Sequence, residues 1–210
     1  MATRDTPQRI VDRAVELFNE HGVKAISLNR IAESLSISPG NLHYHFRTKD
    51  DVILAIFERI RTDPSQVSER DCATPTLAHV RWMFERYSSL VWRYRFFFRE
   101  LSALTEEMPL VRHRYFENRR ERMAALEHFF EALIDAGVMR RPEPPATVGL
   151  LVALSWMVSD HWIFYQEADH DRFDKSLIDT GFDLVMALFQ PYLSVPAPNS
   201  LRVRSRATSP

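Results

Sequence analysis

Apolar residues recur at helical spacing along most of this chain, and no stretch alternates as a half-buried strand would. Ile10, Ala14, Leu17 and Phe18 form a first stripe, opened by Thr6-Pro7 as N-cap and first-turn proline and closed by Gly22. Leu28, Ile31, Ala32 and Leu35 fall at i, i+3, i+4 and i+7, with Ser27 where an N-cap oxygen is needed. Ser36-Ile37 interrupts that pattern and Ser38-Pro39 restarts it, giving a short helix that turns Leu42 and Phe46 inward, with Ile37 at the corner. Thr48 and Asp51 make a capping-box start for another helix, whose inner stripe is Ile53, Ile56, Phe57 and Ile60. Two short helices joined by a tight turn describe a helix-turn-helix, whose second helix can enter the major groove of DNA.

Arg61 to Pro75, with two prolines and mixed charges, reads as a connection, and the character of the chain changes after it. Leu77 to Leu104 is dense in aromatic residues, and Phe96-Phe97-Phe98 covers three helix faces in succession, so that turn must be buried on most sides. Pro109 opens a helix running to about Ala136, roughly 40 Å long at 1.5 Å per residue. Its stripe is Phe116, Met123, Leu126, Phe130 and Leu133, and Gly137 ends it. Met139 to Pro145 is a second break, followed by an apolar helix over 146–166 and a last helix over 172–189 that Pro191 stops. The pattern predicts an all-α fold of about nine helices. A helix-turn-helix domain with its connecting helix spans 1–61, a linker 62–75, a larger helical domain 76–192 and a disordered basic tail 193–210.

Composition narrows the functional classes. A net charge of −1 argues against a general polyanion binder, but residues 27–49 hold Arg30, Arg47 and Lys49 against Glu33 alone, so basicity is local. The single cysteine, Cys72, excludes an intramolecular disulfide and a multi-cysteine metal site. The N-terminus has no apolar secretory core, and the most apolar segment, Val148 to Val158, is too short to span a bilayer. The chain reads as cytoplasmic, with no membrane partner. His113, His161 and His170 with Asp160, Asp169, Asp171 and Asp174 offer acids and bases, but no nucleophile motif, phosphate loop or metal spacing organises them. Neither catalysis nor a cofactor or metal is expected.

The outward residues of the second short helix are Gly40, Asn41, His43, Tyr44 and His45, followed by Arg47 and Lys49; none is acidic. Asparagine can read a purine edge, and a helix N-terminus and a lysine suit phosphates. Any helical hairpin with a polar face has the same geometry, so spacing alone leaves DNA binding open. The residues themselves carry more. SLNRIAESLSISPGNLHYHFRTKDDVI resembles the DNA-binding motif of the TetR/AcrR family of bacterial regulators, with Ile31, Ala32, Ile37, Ser38, Gly40, Leu42, His45, Phe46 and Lys49 on matching positions. Ser36 replaces the usual turn glycine, placing a non-glycine where a positive φ is called for. His43 stands where the family has a phosphate-binding tyrosine.

The resemblance implies a homodimer on double-stranded operator DNA, most simply a repressor of transcription, with the helix over 49–61 joining the reading head to an effector-binding and dimerisation domain. Base contacts are expected from Asn41 and Asn29, with Pro39 and Gly40 allowing close approach. Ser27, Ser38, His43, Tyr44, His45 and Lys49 are expected on phosphates. Helices 146–166 and 172–189 are expected to pair the subunits as a four-helix interface. Met83, Trp92, Phe97, Leu101, Phe116, Met123, Phe130, Trp156 and Trp162 either line a cavity for a small apolar or aromatic effector or fill a close-packed core. His161 and Tyr165, four apart, either orient a polar group of that effector or satisfy each other. Asp160, in an apolar stretch, needs a buried partner, expected to be an arginine. A family member acting through protein contact would carry an acidic or apolar recognition face, which Gly40, Asn41, His43, His45 and Lys49 do not form.

Overall fold

A computed structural model describes residues 5–63, 75–166 and 174–194. The N-terminal arm with Arg4, Cys72 with most of the expected linker, the connection holding Asp169, His170 and Asp171, and the basic tail from Val195 lie outside the described residues.

Ten α-helices are described: α1 Thr6–His21, α2 Leu28–Ser34, α3 Pro39–His45, α4 Lys49–Thr62, α5 Leu77–Arg93, α6 Arg95–Arg99, α7 Leu101–Glu107, α8 Pro109–Asp135, α9 Val148–Gln166 and α10 Lys175–Phe189. A 3₁₀ turn, Gln190–Tyr192, follows Phe189. Among the described residues there is no strand, only a single antiparallel bridge between Met139 and Leu193. The fold is all-α. The count exceeds nine because the aromatic stretch after Leu77 breaks at Tyr94 and again at Glu100. The middle piece carries Phe96, Phe97 and Phe98, all buried. Three successive rings point to three sides, and a short helical turn enclosed all round accommodates that better than a long amphipathic rod.

Most helix ends follow local chemistry. Ser27 accepts from Arg30 N–H at 3.2 Å, Ser38 from Asn41 N–H at 3.2 Å, and Thr48 with Asp51 closes a reciprocal capping box. The start of α1 differs: Thr6 lies inside the helix and Asp5, at the N-cap position, makes no side-chain cap. Between α2 and α3, Ile37 N–H bonds to Ala32 O at 3.1 Å and Ser36 N–H to Glu33 O at 3.0 Å. That pair of bonds is a Schellman motif, and it forces Ser36 to φ 55°.

The chain forms two compact units, Met1–Gln66 with Leu90–Arg119, and Val67–Ser89 with Arg120–Pro210. In the first, Ile10, Ala14, Phe18, Ile31, Leu42 and Phe57 are buried, and Phe18 packs on Phe96 and Phe57 stacks on Phe97. In the second, α9 lies on α10 so closely that a Cβ on Gly181 would come within 2.4 Å of the Trp162 ring. Phe84 contacts both Trp162 and Phe182, Phe130 stacks on Phe189 at 4.6 Å, and Arg81 binds Glu85 and Asp179. The apolar segment beginning at Val148 continues to Gln166, longer than its most apolar run, and among the described residues α9 alone has the length and hydropathy to cross a membrane. Its buried Asp160, bound by Tyr87, and its seat against α10 mark it as a core helix of this unit.

Candidate nucleic-acid interface

The recognition face is built from two capped helices and the turn between them. Leu42 is wholly buried and anchors α3; Gly40, His43 and Tyr44 point outward, with Tyr44 84% exposed. A Cβ on Gly40 would meet nothing within 4 Å, so the fold itself does not require glycine there and the surface is left low. Tyr44 sits edge-on to His45 at 5.1 Å. Asn41 Oδ1 and His45 Nε2 are both buried without a hydrogen-bond partner among the described residues. Asn29 and Pro39 are exposed, as are Ser27 and Ser38, whose hydroxyls are used in capping. Seven of these nine residues lie on α3 or at its N-cap, and two, Ser27 and Asn29, lie at the start of α2.

Lys49 is placed differently from the rest. Its ammonium donates to Val23 O at 2.8 Å and Ile26 O at 3.2 Å, tying the start of α4 to the α1–α2 connection. Spacing could not reveal this, because the carbonyls lie 26 and 23 residues away. Asn19 and Glu100 were also invisible to periodicity. Asn19 bonds the backbone at Arg93 and Phe96, and Glu100 receives Val23 N–H at 3.0 Å.

The expected effector residues divide between the units. Trp92, Phe97, Leu101 and Phe116 belong to the first, where Phe97 is consumed in the stack on Phe57 and Phe116 is 41% exposed, off the buried stripe assigned to it. Met83, Met123, Phe130, Trp156, His161, Trp162 and Tyr165 belong to the second. There Phe130 and Trp162 are close-packed core, whereas Tyr165 is 81% exposed and His161 also faces out, bonding Met157 O at 3.2 Å. Met83 and Met123 are half-buried. Trp156 is buried against Tyr87, with Arg122 over both rings, and its indole N–H has no partner among the described residues. A hollow of about 440 Å³ in the second unit is lined by Glu127, His128, Glu131, Arg141, Thr147 and their neighbours, none of them an expected effector residue.

Two family models match the chain. Residues 10–56 match the bacterial regulatory proteins of the tetR family, and residues 61–200 match the TetR bacterial transcriptional repressor model. The chain belongs to the TetR family. A crystal structure of a TetR-family transcriptional regulator from Marinobacter aquaeolei is 33% identical over 92% of each chain, with a TM-score of 0.80. PfmR, a TetR-family regulator from Thermus thermophilus, is 21% identical, covers 86% of this chain and 97% of its own, and has a TM-score of 0.70, a likeness of fold. An HTH-type transcriptional regulator of Staphylococcus aureus is 43% identical over 56 residues, 27% of this chain and 30% of that protein's length. The chain is thus a TetR-type DNA-binding transcriptional regulator, and members of this family are not enzymes.

Proposed function

We propose that this protein is a cytoplasmic, dimeric repressor that binds a pseudo-palindromic operator and is released by a small, largely apolar effector. The observation that carries the DNA reading is the acid-free outer face of α3, with Gly40 low, Tyr44 84% exposed and Asn41 beside them, on a family-matched motif. Asn41 and Asn29 read base edges; Ser27, Ser38, His43, Tyr44 and His45 meet phosphates and fix register. Lys49, with its ammonium on two carbonyls, supports the motif and adds positive potential rather than a primary phosphate bond.

Dimerisation is supported by an apolar stripe left exposed among the described residues. Leu150, Leu154 and Met157 of α9 recur at i, i+4 and i+7, continued by exposed His161 and Tyr165, and Leu184 of α10 is 43% exposed. Pairing this face about a two-fold axis makes a four-helix interface, with recognition helices about 34–36 Å apart, or a multiple, on one side of the duplex. For the effector, Trp156 with Tyr87, Asp160 and Arg122 is the polar-edged aromatic cluster that best suits a ligand. An effector releases the operator only if it binds the DNA-incompetent state more tightly.

A gel-shift titration against the DNA flanking the gene, with salt varied, tests this reading. Salt-sensitive, sequence-selective binding by a dimer is the expected outcome, and Asn41→Ala should relax preference at one position per half-site by about 1–3 kcal/mol. Absence of selective binding with and without candidate apolar effectors would favour regulation by protein contact.

A further inference from the structure

We propose that Asn19 and Glu100 are positioning residues for operator reading: they seat the helix-turn-helix on the break between α5 and α6 and so set the angle at which α3 is presented. This rests on the DNA-binding reading above.

The break creates its own binding site for a side chain. In an uninterrupted helix Phe96 N–H would bond to Trp92 O, and Arg93 O would receive Phe97 N–H. Tyr94, at φ −111° and ψ 33°, leaves the helix, and Phe97 N–H turns instead to Tyr94 O at 2.9 Å. Arg93 C=O and Phe96 N–H are thereby left without helical partners. The Asn19 carboxamide replaces both: its Nδ2 donates to Arg93 O at 2.8 Å, and its Oδ1 accepts from Phe96 N–H at 3.0 Å. Only a side chain with a donor and an acceptor fixed side by side does this, which asparagine has and aspartate or leucine lacks.

The second contact reaches the recognition motif directly. Glu100 Oε1 accepts from Val23 N–H at 3.0 Å, and Val23 O accepts from the Lys49 ammonium at 2.8 Å. Val23 is therefore held on one side by the residue ending α6 and on the other by the first residue of α4, just after the recognition helix. Gly22 permits this approach: its φ is +78°, and a Cβ there would come within 3.3 Å of Glu100 Oε1. Both contacts lie within the first unit. If α5 and α6 joined into one helix, both backbone groups would return to helical partners and Asn19 would lose its seat. The Asn19 contacts therefore fit only the broken form.

A dimer whose heads are rigidly seated tolerates only one half-site spacing; one whose heads swivel tolerates several. The test uses the full-length dimer and an operator selected by the wild type from random duplexes. Affinity is measured on that operator, on the same operator with one base pair inserted between half-sites, and on a duplex with one half-site. The insertion turns one half-site by about 34–36°. For the wild type it should weaken binding about tenfold; for Asn19→Leu and Glu100→Ala the penalty should shrink below about threefold, with half-site affinity unchanged. Glu100→Gln, whose amide oxygen still accepts from Val23 N–H, should keep the wild-type penalty. An undiminished penalty in Asn19→Leu, or an equal loss on half-site and full operator, overturns the proposal, the second because it marks a general folding or direct-contact role. Should Asn19→Leu fail to fold by circular dichroism, like behaviour of Glu100→Ala and Glu100→Gln overturns it instead. A wild type that selects no duplex overturns the DNA reading itself, and this inference falls with it.

Discussion

The recognition motif and the α9–α10 pair are stabilised in opposite ways. In α2, α3 and α4 each helix start carries its own oxygen cap, at Ser27, Ser38 and Thr48, and the turn between α2 and α3 is closed by bonds no more than five residues apart. Such contacts contribute about 0.5–2 kcal/mol each and are encoded within a few residues. The α9–α10 pair depends on long-range fit. Trp162 lies over Gly181, and Arg81 reaches Asp179 across 98 residues of chain. One region is specified by grammar, the other by shape, and shape is the less tolerant of change.

Gly181→Ala attacks that fit and should have the largest effect. The added methyl would meet three atoms of the Trp162 ring, between 2.4 and 2.6 Å away, and that ring is nearly fully buried. Overpacking of this kind costs about 1–3 kcal/mol, to be read from chemical denaturation. A melting curve indistinguishable from wild type would mean that α9 and α10 can slide apart freely, which would weaken the contrast.

Within the motif, two neighbouring serines should respond with opposite signs. Ser38→Ala removes the cap on Asn41 N–H and should lower stability by about 1 kcal/mol. Ser36→Gly relieves a non-glycine residue held at φ 55° and should raise it by up to about 1 kcal/mol. Thermal melts of both variants check this. Like signs would show that Ser36 is held by something other than the Schellman bonds.

The smallest effect is expected from acid. Bonds from the Thr48 backbone and hydroxyl hold the Asp51 carboxyl below its usual range. A depressed carboxylate contributes its stability above the unfolded-state value, near pH 4, and loses it as pH falls through the folded value. Asp51 is exposed, so solvent screening limits the contribution to a few tenths of a kcal/mol. The stability gap between wild type and Thr48→Ala should accordingly narrow below about pH 4 in denaturation curves.

The helices of the recognition motif, the caps at Ser27, Ser38 and Thr48 and the turn at Ser36 were legible in the sequence, because each depends on neighbours within one or two turns. The family resemblance was legible for the same reason: it resides in one contiguous stretch. The aromatic-rich remainder was legible as helix but not as site. Phe97, Phe130 and Trp162 have the composition of a pocket wall, yet each is spent on a ring in another helix; Phe116 has the spacing of a buried stripe and Tyr165 shares a face with His161, yet both are exposed. Periodicity fixes the direction of a side chain about its own axis, not what stands opposite.

The chain's local chemistry alone thus determined an all-α fold with a capped helix-turn-helix, locally basic residues in a balanced composition and an aromatic helical remainder, and one contiguous stretch carried the resemblance to a regulator family. Tertiary structure decided that Lys49 grips two carbonyls, that Glu100 reaches Val23, that Asn19 fills the gap where α5 breaks, and that the Trp162 ring of α9 lies against Gly181 of α10. These are contacts between residues far apart in sequence. They exist only once the helices have packed, so no window of the sequence contains both partners.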